Sequence, residues 1–429
     1  MTVIHDWIKQ IKGYNRNVRL FLWANVLFQV GMGMFMIMYN LYVKALGFDQ
    51  TVIGNMVAMQ SLAAAIILIP AGILSDQLGR KKIIAVGLLF TVVSFVLRAI
   101  LEVETGLILT AFMTGLFSSF IQVSAIPLLS ENSTKEQRVH LFSLNFALMM
   151  VANVIGNMGG GALADVLHLW FGMTELISLR TTLLIGTGMS FLAFLPISML
   201  QEKGKVKQHK TLTSMLTKGN LKRALVQHHT SIKIIGLFAV AQMLIGFGAG
   251  LVIPYLNVYF ADRFQASNTS IGLVVSLGQA ATAVAMLIGP AIVKRIGEVR
   301  AVVVLQLLSI PFLLLTGFTN NFYLASVGFL FRQALMNAGN PIQMSVMMDK
   351  VDDNMKGLAN SVGQTIFMLG WACMGPVSSY IVSRYGAYWG YAYVFSLTAA
   401  LYIVGSVYFY YVFYRRPDKV LDSKQKIPL

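Results

Sequence analysis

Long apolar runs dominate this sequence and exclude an ordinary soluble fold. Only 12% of the 429 residues are charged and 56% are hydrophobic, whereas a soluble globular protein carries about 25% charged residues. A helix that crosses a bilayer needs about 20 apolar residues. We therefore expect an all-α membrane protein. Its twelve predicted transmembrane helices lie near residues 20–43, 52–71, 83–101, 106–129, 140–163, 181–200, 234–260, 270–292, 300–318, 322–347, 358–383 and 388–414.

The basic residues follow a pattern that predicts orientation. The net charge is +16, and most Lys and Arg residues fall in the N-terminal tail, in alternate connections and after residue 414. Cytoplasmic loops of membrane proteins carry such an excess. The pattern predicts cytoplasmic termini in a multi-pass protein of the plasma membrane, and the short loops favour a bacterial inner membrane. A nucleic-acid-binding protein would need these bases on one folded surface, so we expect no nucleic-acid partner.

The two halves of the chain repeat one plan. At an offset of 217 to 219 residues, Gly54 aligns with Gly272, and Gly156-Asn157 aligns with Gly375-Pro376. Duplicated halves are typical of secondary transporters. The predicted domains are an N-terminal six-helix bundle at 1–200, a basic cytoplasmic linker at 201–233 and a C-terminal six-helix bundle at 234–429.

The connection between the second and third spans has a distinctive sequence, GILSDQLGRKK from Gly72 to Lys82. Gly72 is small enough for close helix packing, and Gly79 suits a sharp turn that needs positive φ. Asp76 and Arg80 are four residues apart, so they can form an ion pair on a helix. The stretch predicts a tight polar connection with a basic end.

This connection resembles the signature loop of the major facilitator superfamily, which has the pattern Gly-x-Leu-x-Asp-x-x-Gly-Arg-Lys. The resemblance implies two pseudo-symmetric six-helix bundles that rock about a central site. It also implies a gate at the cytoplasmic end of the helices, for which the candidate residues are Gly72, Asp76, Gly79, Arg80, Lys81, Glu131 and Arg138.

Arg332 is the most unusual residue within a predicted span. It lies about ten residues into the tenth span, or roughly 15 Å deep, and a central Arg costs about 2.5–3.5 kcal/mol on insertion scales. Arg332 either attracts an anionic group of a substrate or is a structural residue bound to neighbouring helices. In the family that the loop resembles, the first, fourth, seventh and tenth helices line the cavity. The candidates for substrate contact are Gln29, Gln122, Gln242, Arg332 and Asn337.

The fifth span carries small residues close together. Its run GNMGGG resembles a glycine-rich motif of the antiporter branch of the same superfamily, with Asn157 in place of the proline. Close helix packing explains the same residues without any transport direction. The candidate packing residues are Gly156, Asn157, Gly160, Gly161, Gly375 and Pro376.

The sequence carries no nucleotide-binding loop, metal-ligand spacing or nucleophile elbow, so we expect no cofactor, no metal and no enzymatic activity. The prediction is a monomeric secondary transporter that contacts membrane lipids and moves a small anionic or amphipathic solute, with efflux favoured over uptake. An uptake or lipid-handling member of the fold and a non-transporting sensor are the alternatives. A coupling proton is the usual expectation for the antiporter branch, although no span carries an acidic residue near its middle.

Overall fold

Twelve helical segments cross the molecule in a computed structural model that describes residues 13–201, 229–352 and 355–415. The first ten segments are α1 (Arg16–Ala45), α2 (Gln50–Leu78), α3 (Arg80–Ile100), α4 (Glu104–Glu131), α5 (Lys135–Leu169), α6 (Glu175–Ser198), α7 (His229–Phe264), α8 (Asn268–Ile296), α9 (Glu298–Phe318) and α10 (Phe322–Lys350). A helix over Lys356–Tyr410 breaks at Gly386, where φ is 74° and ψ is 178°. We therefore divide it into α11 (356–385) and α12 (387–410).

Local sequence explains where several helices begin. Thr174 accepts a hydrogen bond from the backbone N–H of Ile177, and Ser267 accepts one from Ser270. These caps satisfy N–H groups that have no partner within the first turn. Gly79 and Gly297 adopt φ values of 100° and 80° at equivalent connections in the two halves, a conformation that favours glycine.

Composition alone identifies most of these helices as membrane spans. Among the described residues, ten stretches are long and apolar enough to cross a bilayer, and one of them covers both α11 and α12. The helix that is not among them is α10, which carries Arg332, Asn337, Asn340 and Gln343. Its polar side chains must be covered by protein or line a polar cavity.

The helices form two groups that pack in the same way. In the N-terminal half α4 packs against α2 and α3, and α1 packs against α5 and α6. In the C-terminal half α10 packs against α8 and α9, while α7 packs against α11 and α12. The halves meet where α2 contacts α11 and where α5 contacts α8. The linker predicted at 201–233 lies almost wholly outside the described residues.

We name the two ends of the helix bundle by their charge. The basic end contains Arg80, Lys81, Lys294, Arg295 and Lys350. The opposite end contains the turns at 46–49, 101–103, 170–174, 265–267 and 319–321. The predicted cytoplasmic residues named here therefore share one end of the bundle.

Candidate functional site

A cavity of about 300 Å³ lies between the two halves, and we call it the interface cavity. The N-terminal half lines it with Tyr39, Gln60 and Arg98, among others, and the C-terminal half contributes Asn257 and Gln333. Among the described residues, eight helices contribute to this lining: α1, α2, α3 and α5 from the first half, and α7, α8, α10 and α11 from the second.

A second cavity of about 330 Å³ lies within the C-terminal half, and we call it the C-terminal cavity. Its lining includes Arg332 and extends along α10 to Met347, close to the basic end. Ile253, Gln333 and Trp371 line both cavities, so the two adjoin. Seven amide side chains line the C-terminal cavity: Gln242, Gln333, Asn337, Asn340, Gln343, Asn360 and Gln364.

Each cavity has one buried arginine. Arg98 is 3% exposed and donates from Nη1 to Gln60 Oε1 at 3.0 Å. Its guanidinium lies 3.8 Å from the ring centroid of Tyr39, a distance at which a cation interacts with the π face. Among the described residues no carboxylate contacts Arg98, and its Nε has no hydrogen-bond partner.

Arg332 has a similar environment. It is also 3% exposed and donates from Nη2 to Tyr402 Oη at 2.7 Å and from Nη1 to Gln333 Oε1 at 3.0 Å. Its Nε is likewise without a partner in the described part of the chain. Gln333 therefore lines both cavities and orients the guanidinium of one of them.

The interface cavity is closed on the side of the opposite end by reciprocal asparagine contacts. Asn40 Nδ2 donates to the carbonyl of Pro254, and Asn257 Nδ2 donates to the carbonyl of Ile37, both at 2.7 Å. Asn40 Nδ2 also donates to Asn257 Oδ1 at 3.2 Å. The two asparagines are 217 residues apart, which is the offset of the sequence repeat.

Further polar contacts join the halves nearby. Lys44 forms an ion pair with Asp262. Asp165 accepts hydrogen bonds from Asn268 Nδ2 at 2.9 Å and from the backbone N–H of Thr269 at 2.8 Å. Asp165 therefore binds the N-terminus of α8, where a negative charge is stabilised by the helix dipole.

Several candidate gate residues form a cluster at the basic end. Arg80 forms an ion pair with Asp76 and donates from Nε to Glu131 Oε1 at 3.1 Å. Arg80 Nη1 also donates to Ser75 Oγ at 3.0 Å. The cluster connects α2, α3 and α4 within the N-terminal half. Lys81 Nζ donates to the carbonyls of Ser198 and Leu200 at 2.8 and 2.6 Å, and the side chain of Arg138 lies outside the described part.

Small residues lie where helices approach closely. A Cβ at Gly156 would collide with the carbonyl of Val30 in α1, and one at Gly161 would collide with the carbonyl of Asn268 in α8. At Gly160 the Cβ would lie 3.0 Å from Met34 Cα. Gly375 approaches Gly54, as Asn157 approaches Gly272, so positions 218 residues apart make equivalent contacts in the two halves. Pro376 follows within α11.

Three of the candidate residues lie away from both cavities or from close helix contacts in this conformation, and their proposed roles stay predictions. In the described part of the chain no atom lies within 4 Å of a Cβ placed at Gly72, so close packing of the described helices does not explain this glycine. Gln29 accepts a hydrogen bond from Asn153 at 3.3 Å and does not line either cavity, because its amide is used between α1 and α5. Gln122 is exposed on α4 and also lies outside both linings. Gln242, Arg332 and Asn337 line the C-terminal cavity.

Sequence reasoning missed Arg98, because it lies in the last turn of α3, where a long basic side chain usually reaches the membrane surface. It also missed the asparagine pair, although the repeat offset aligns Asn40 with Asn257 and could have identified it.

Comparison with known proteins determines the family. The family model described as Major Facilitator Superfamily matches residues 21–234 and 238–428. The chain belongs to the Major Facilitator Superfamily. This confirms the resemblance and the predicted all-α membrane fold. Members of this superfamily are transporters rather than enzymes, and the chain is accordingly a multi-pass membrane protein of that superfamily. In the described residues no group of side chains could hold a metal ion.

Individual members of the superfamily are only distantly similar. The quinolone resistance protein NorA of Staphylococcus aureus is 23% identical over 268 residues, which cover 62% of this chain and 63% of NorA. The match thus spans less than two thirds of that relative. An uncharacterized MFS-type transporter of Methanocaldococcus jannaschii is 27% identical over 32% of this chain and 36% of its own length.

Solved structures of superfamily transporters share the fold. A bacterial homologue of the human lysosomal transporter Spinster, in an inward-facing and unoccupied conformation, has a TM-score of 0.73 at 13% identity and covers 92% of this chain and 95% of its own. The nucleoside transporter NupG has a TM-score of 0.72 at 17% identity, covering 93% and 99%. The D-xylose-proton symporter has a TM-score of 0.71 at 12% identity, covering 92% and 97%.

Proposed function

We propose that this protein is a secondary active transporter that exports a small organic solute from a bacterial cell by alternating access. The interface cavity is the observation that carries this proposal. Both halves line it, so a relative rotation of the halves would change the side of the membrane from which a solute can enter. The basic residues at one end support a plasma-membrane orientation with both termini and the linker at 201–233 in the cytoplasm.

The conformation fits an inward-facing transporter. Asn40, Asn257 and the Lys44–Asp262 ion pair join the halves at the opposite end, beyond the interface cavity. The C-terminal cavity extends along α10 toward the basic end as far as Met347. A solute would therefore enter from the cytoplasmic side, where the basic end lies in the proposed orientation.

Asp76, Arg80 and Glu131 would act as the cytoplasmic gate in the inward-closed state. In the present conformation they connect three helices of one half. Because these side chains are partly exposed, each ion pair contributes at most about 1 kcal/mol. A cluster of that strength can hold helix ends in register and still rearrange during each transport cycle.

Efflux is supported by the similarity to NorA, whose name links it to quinolone resistance, and by the glycine-rich run in α5. Coupling to a proton through an acidic residue has no support from the cavities, because no Asp or Glu lines either of them in the described part of the chain. An exchanged solute is the coupling that we favour.

Counterflow in proteoliposomes tests transport directly. Vesicles preloaded with a quinolone, a nucleoside, D-xylose or an organic dianion would receive the same labelled compound outside. We expect one class to accumulate transiently above the level in protein-free liposomes. If no class does so, and if the accessibility of cysteines does not alternate as described below, the transport proposal is wrong.

Cysteine accessibility tests alternating access without knowledge of the solute. In a Cys373→Ser background, Leu256→Cys reports on the interface cavity next to the opposite end, without removing the asparagine contacts, and Asn340→Cys reports on the C-terminal cavity. We expect a membrane-impermeant thiol reagent to reach the two cysteines from opposite faces of the membrane, with rates that change in opposite directions when a solute binds. Equal access from one face at both positions would contradict the mechanism.

A further inference from the structure

Two buried arginines face adjoining cavities, and neither has an anionic partner among the described residues. Removing a guanidinium from water is costly unless an opposite charge or a full set of hydrogen bonds compensates. A guanidinium has five N–H donors, yet Arg98 makes one hydrogen bond and Arg332 makes two. The Nε of each is buried and unpartnered. Both cations therefore retain donors for an anion that enters the cavities.

The two arginines belong to different halves of the protein. Arg98 is on α3, where Gln60 and Tyr39 hold its guanidinium. Arg332 is on α10, where Gln333 and Tyr402 hold it. A purely structural arginine would be expected to have its donors satisfied by these neighbours. Here the amides and the tyrosines contact each guanidinium, and some of its N–H donors have no partner among the described residues.

The cavity volumes indicate a ligand that extends across both spaces. Each cavity, at about 300 or 330 Å³, is near the lower limit of the ~300–1,000 Å³ that is usual for small-molecule sites. They share lining residues at Gln333 and Trp371, so the cavities are neighbours, and a molecule that reaches both would pass these two side chains.

We propose that the two cavities form one site for an organic dianion, in which Arg98 binds one anionic group and Arg332 binds the other. Carboxylate and phosphate groups are the chemistry that a planar guanidinium recognises best. The amides of the C-terminal cavity would bind polar groups of the same molecule. This proposal rests on the proposed transport function, since it specifies the solute of that same site.

Ligand-induced thermal shifts of the purified full-length protein test the proposal. The probes are two matched sets, in which each dianion carries its two carboxylates at opposite ends: terephthalate, benzoate and benzamide, and glucarate, gluconate and glucose. In at least one set we expect the dianion to raise Tm more than the monoanion, and the neutral compound to have no effect. We expect Arg98→Met and Arg332→Met each to weaken binding of that dianion by ~tenfold or more, because a charge-assisted hydrogen-bonded pair is lost.

Arg384→Met is the matched control, because Arg384 is exposed and lies outside both cavity linings. It should retain the dianion-induced shift. The proposal is overturned if no dianion raises Tm of the wild type at its solubility limit. The proposal is also overturned if the neutral compound of a set raises Tm as much as the dianion does. A dianion-induced rise in Tm that survives in either Arg98→Met or Arg332→Met overturns it as well.

The stability of the unliganded variants gives a second, independent result. If the arginines are present to bind a ligand, replacing either by Met removes an incompletely paired buried charge, and Tm without ligand stays the same or rises. If they are structural, Tm falls in both variants but not in Arg384→Met, and the proposal is wrong.

Counterflow separates the two proposals: uptake of only a neutral or cationic solute refutes the dianion site and leaves transport intact, while arginine-dependent dianion binding without counterflow does the reverse.

Discussion

The asparagine contact between the halves should control how often the opposite end opens. Asn257→Ala removes two hydrogen bonds between the halves, one to Ile37 and one from Asn40. Asn40→Ala also removes two, one to Pro254 and the shared one to Asn257. At ~1 kcal/mol for each buried hydrogen bond, either change destabilises the closed arrangement by ~2 kcal/mol. This raises the ratio of open to closed molecules ~30-fold.

The double variant provides a sharper test because one hydrogen bond is shared. The double variant loses three hydrogen bonds rather than four. We therefore expect its closed arrangement to be destabilised by ~3 kcal/mol, with a coupling energy of ~1 kcal/mol between the two sites. Lys44→Ala is the comparison, because Lys44 is about half exposed in its pair with Asp262. An exposed ion pair contributes at most about 1 kcal/mol. Lys44→Ala should therefore change the ratio of open to closed molecules less than either single asparagine variant does.

Spin-label distance measurements report the two populations. Labels at Thr105→Cys and Tyr323→Cys lie on exposed positions of different halves at the opposite end, and Cys373→Ser removes the remaining thiol of the chain. We expect the longer distance to gain population in each asparagine variant and most in the double variant. Unchanged distance distributions in the single variants would refute the argument, and so would strictly additive effects in the double variant.

Three further substitutions test other contacts. Asp76→Asn should reduce transport while leaving expression and Tm unchanged, because it removes one partner of Arg80 from an exposed cluster; wild-type counterflow in this variant would refute the gate assignment. Gly156→Ala should lower stability by ~1–3 kcal/mol through overpacking, because its Cβ meets the Val30 carbonyl. Gly159→Ala on the same helix should raise stability by ~0.5–1 kcal/mol, since nothing lies within 4 Å of a Cβ there. Chemical or thermal unfolding in detergent compares the pair, and equal effects would contradict the packing argument.

The helices were predictable because each needs about 20 apolar residues, whatever its neighbours are. Even α10, whose polar residues weaken that signal, was recognisable from its length and its place in the repeat. The ion pair of Asp76 with Arg80 was predictable as well, because it depends on spacing within a single turn of helix.

The site was only partly predictable, because tertiary packing decides which polar residues face a cavity. Gln242, Arg332 and Asn337 line the C-terminal cavity, whereas Gln29 is bound to Asn153. Arg98 is covered by Tyr39, which comes from a helix about 60 residues earlier in the chain. Hydrophobic periodicity contains no information about such a contact.

The asparagine pair also bears on the ancestry of the chain. Asn40 donates to the carbonyl three residues before Asn257, and Asn257 donates to the carbonyl three residues before Asn40. Two identical subunits related by a twofold axis make contacts of this kind, in which each residue meets its own counterpart. A gene encoding six helices would thus have produced a homodimer with this same contact on its axis. Fusion of two copies would have preserved the dimer interface inside one polypeptide, and Arg98 and Arg332, which do not occupy aligned positions, would mark where the copies later diverged.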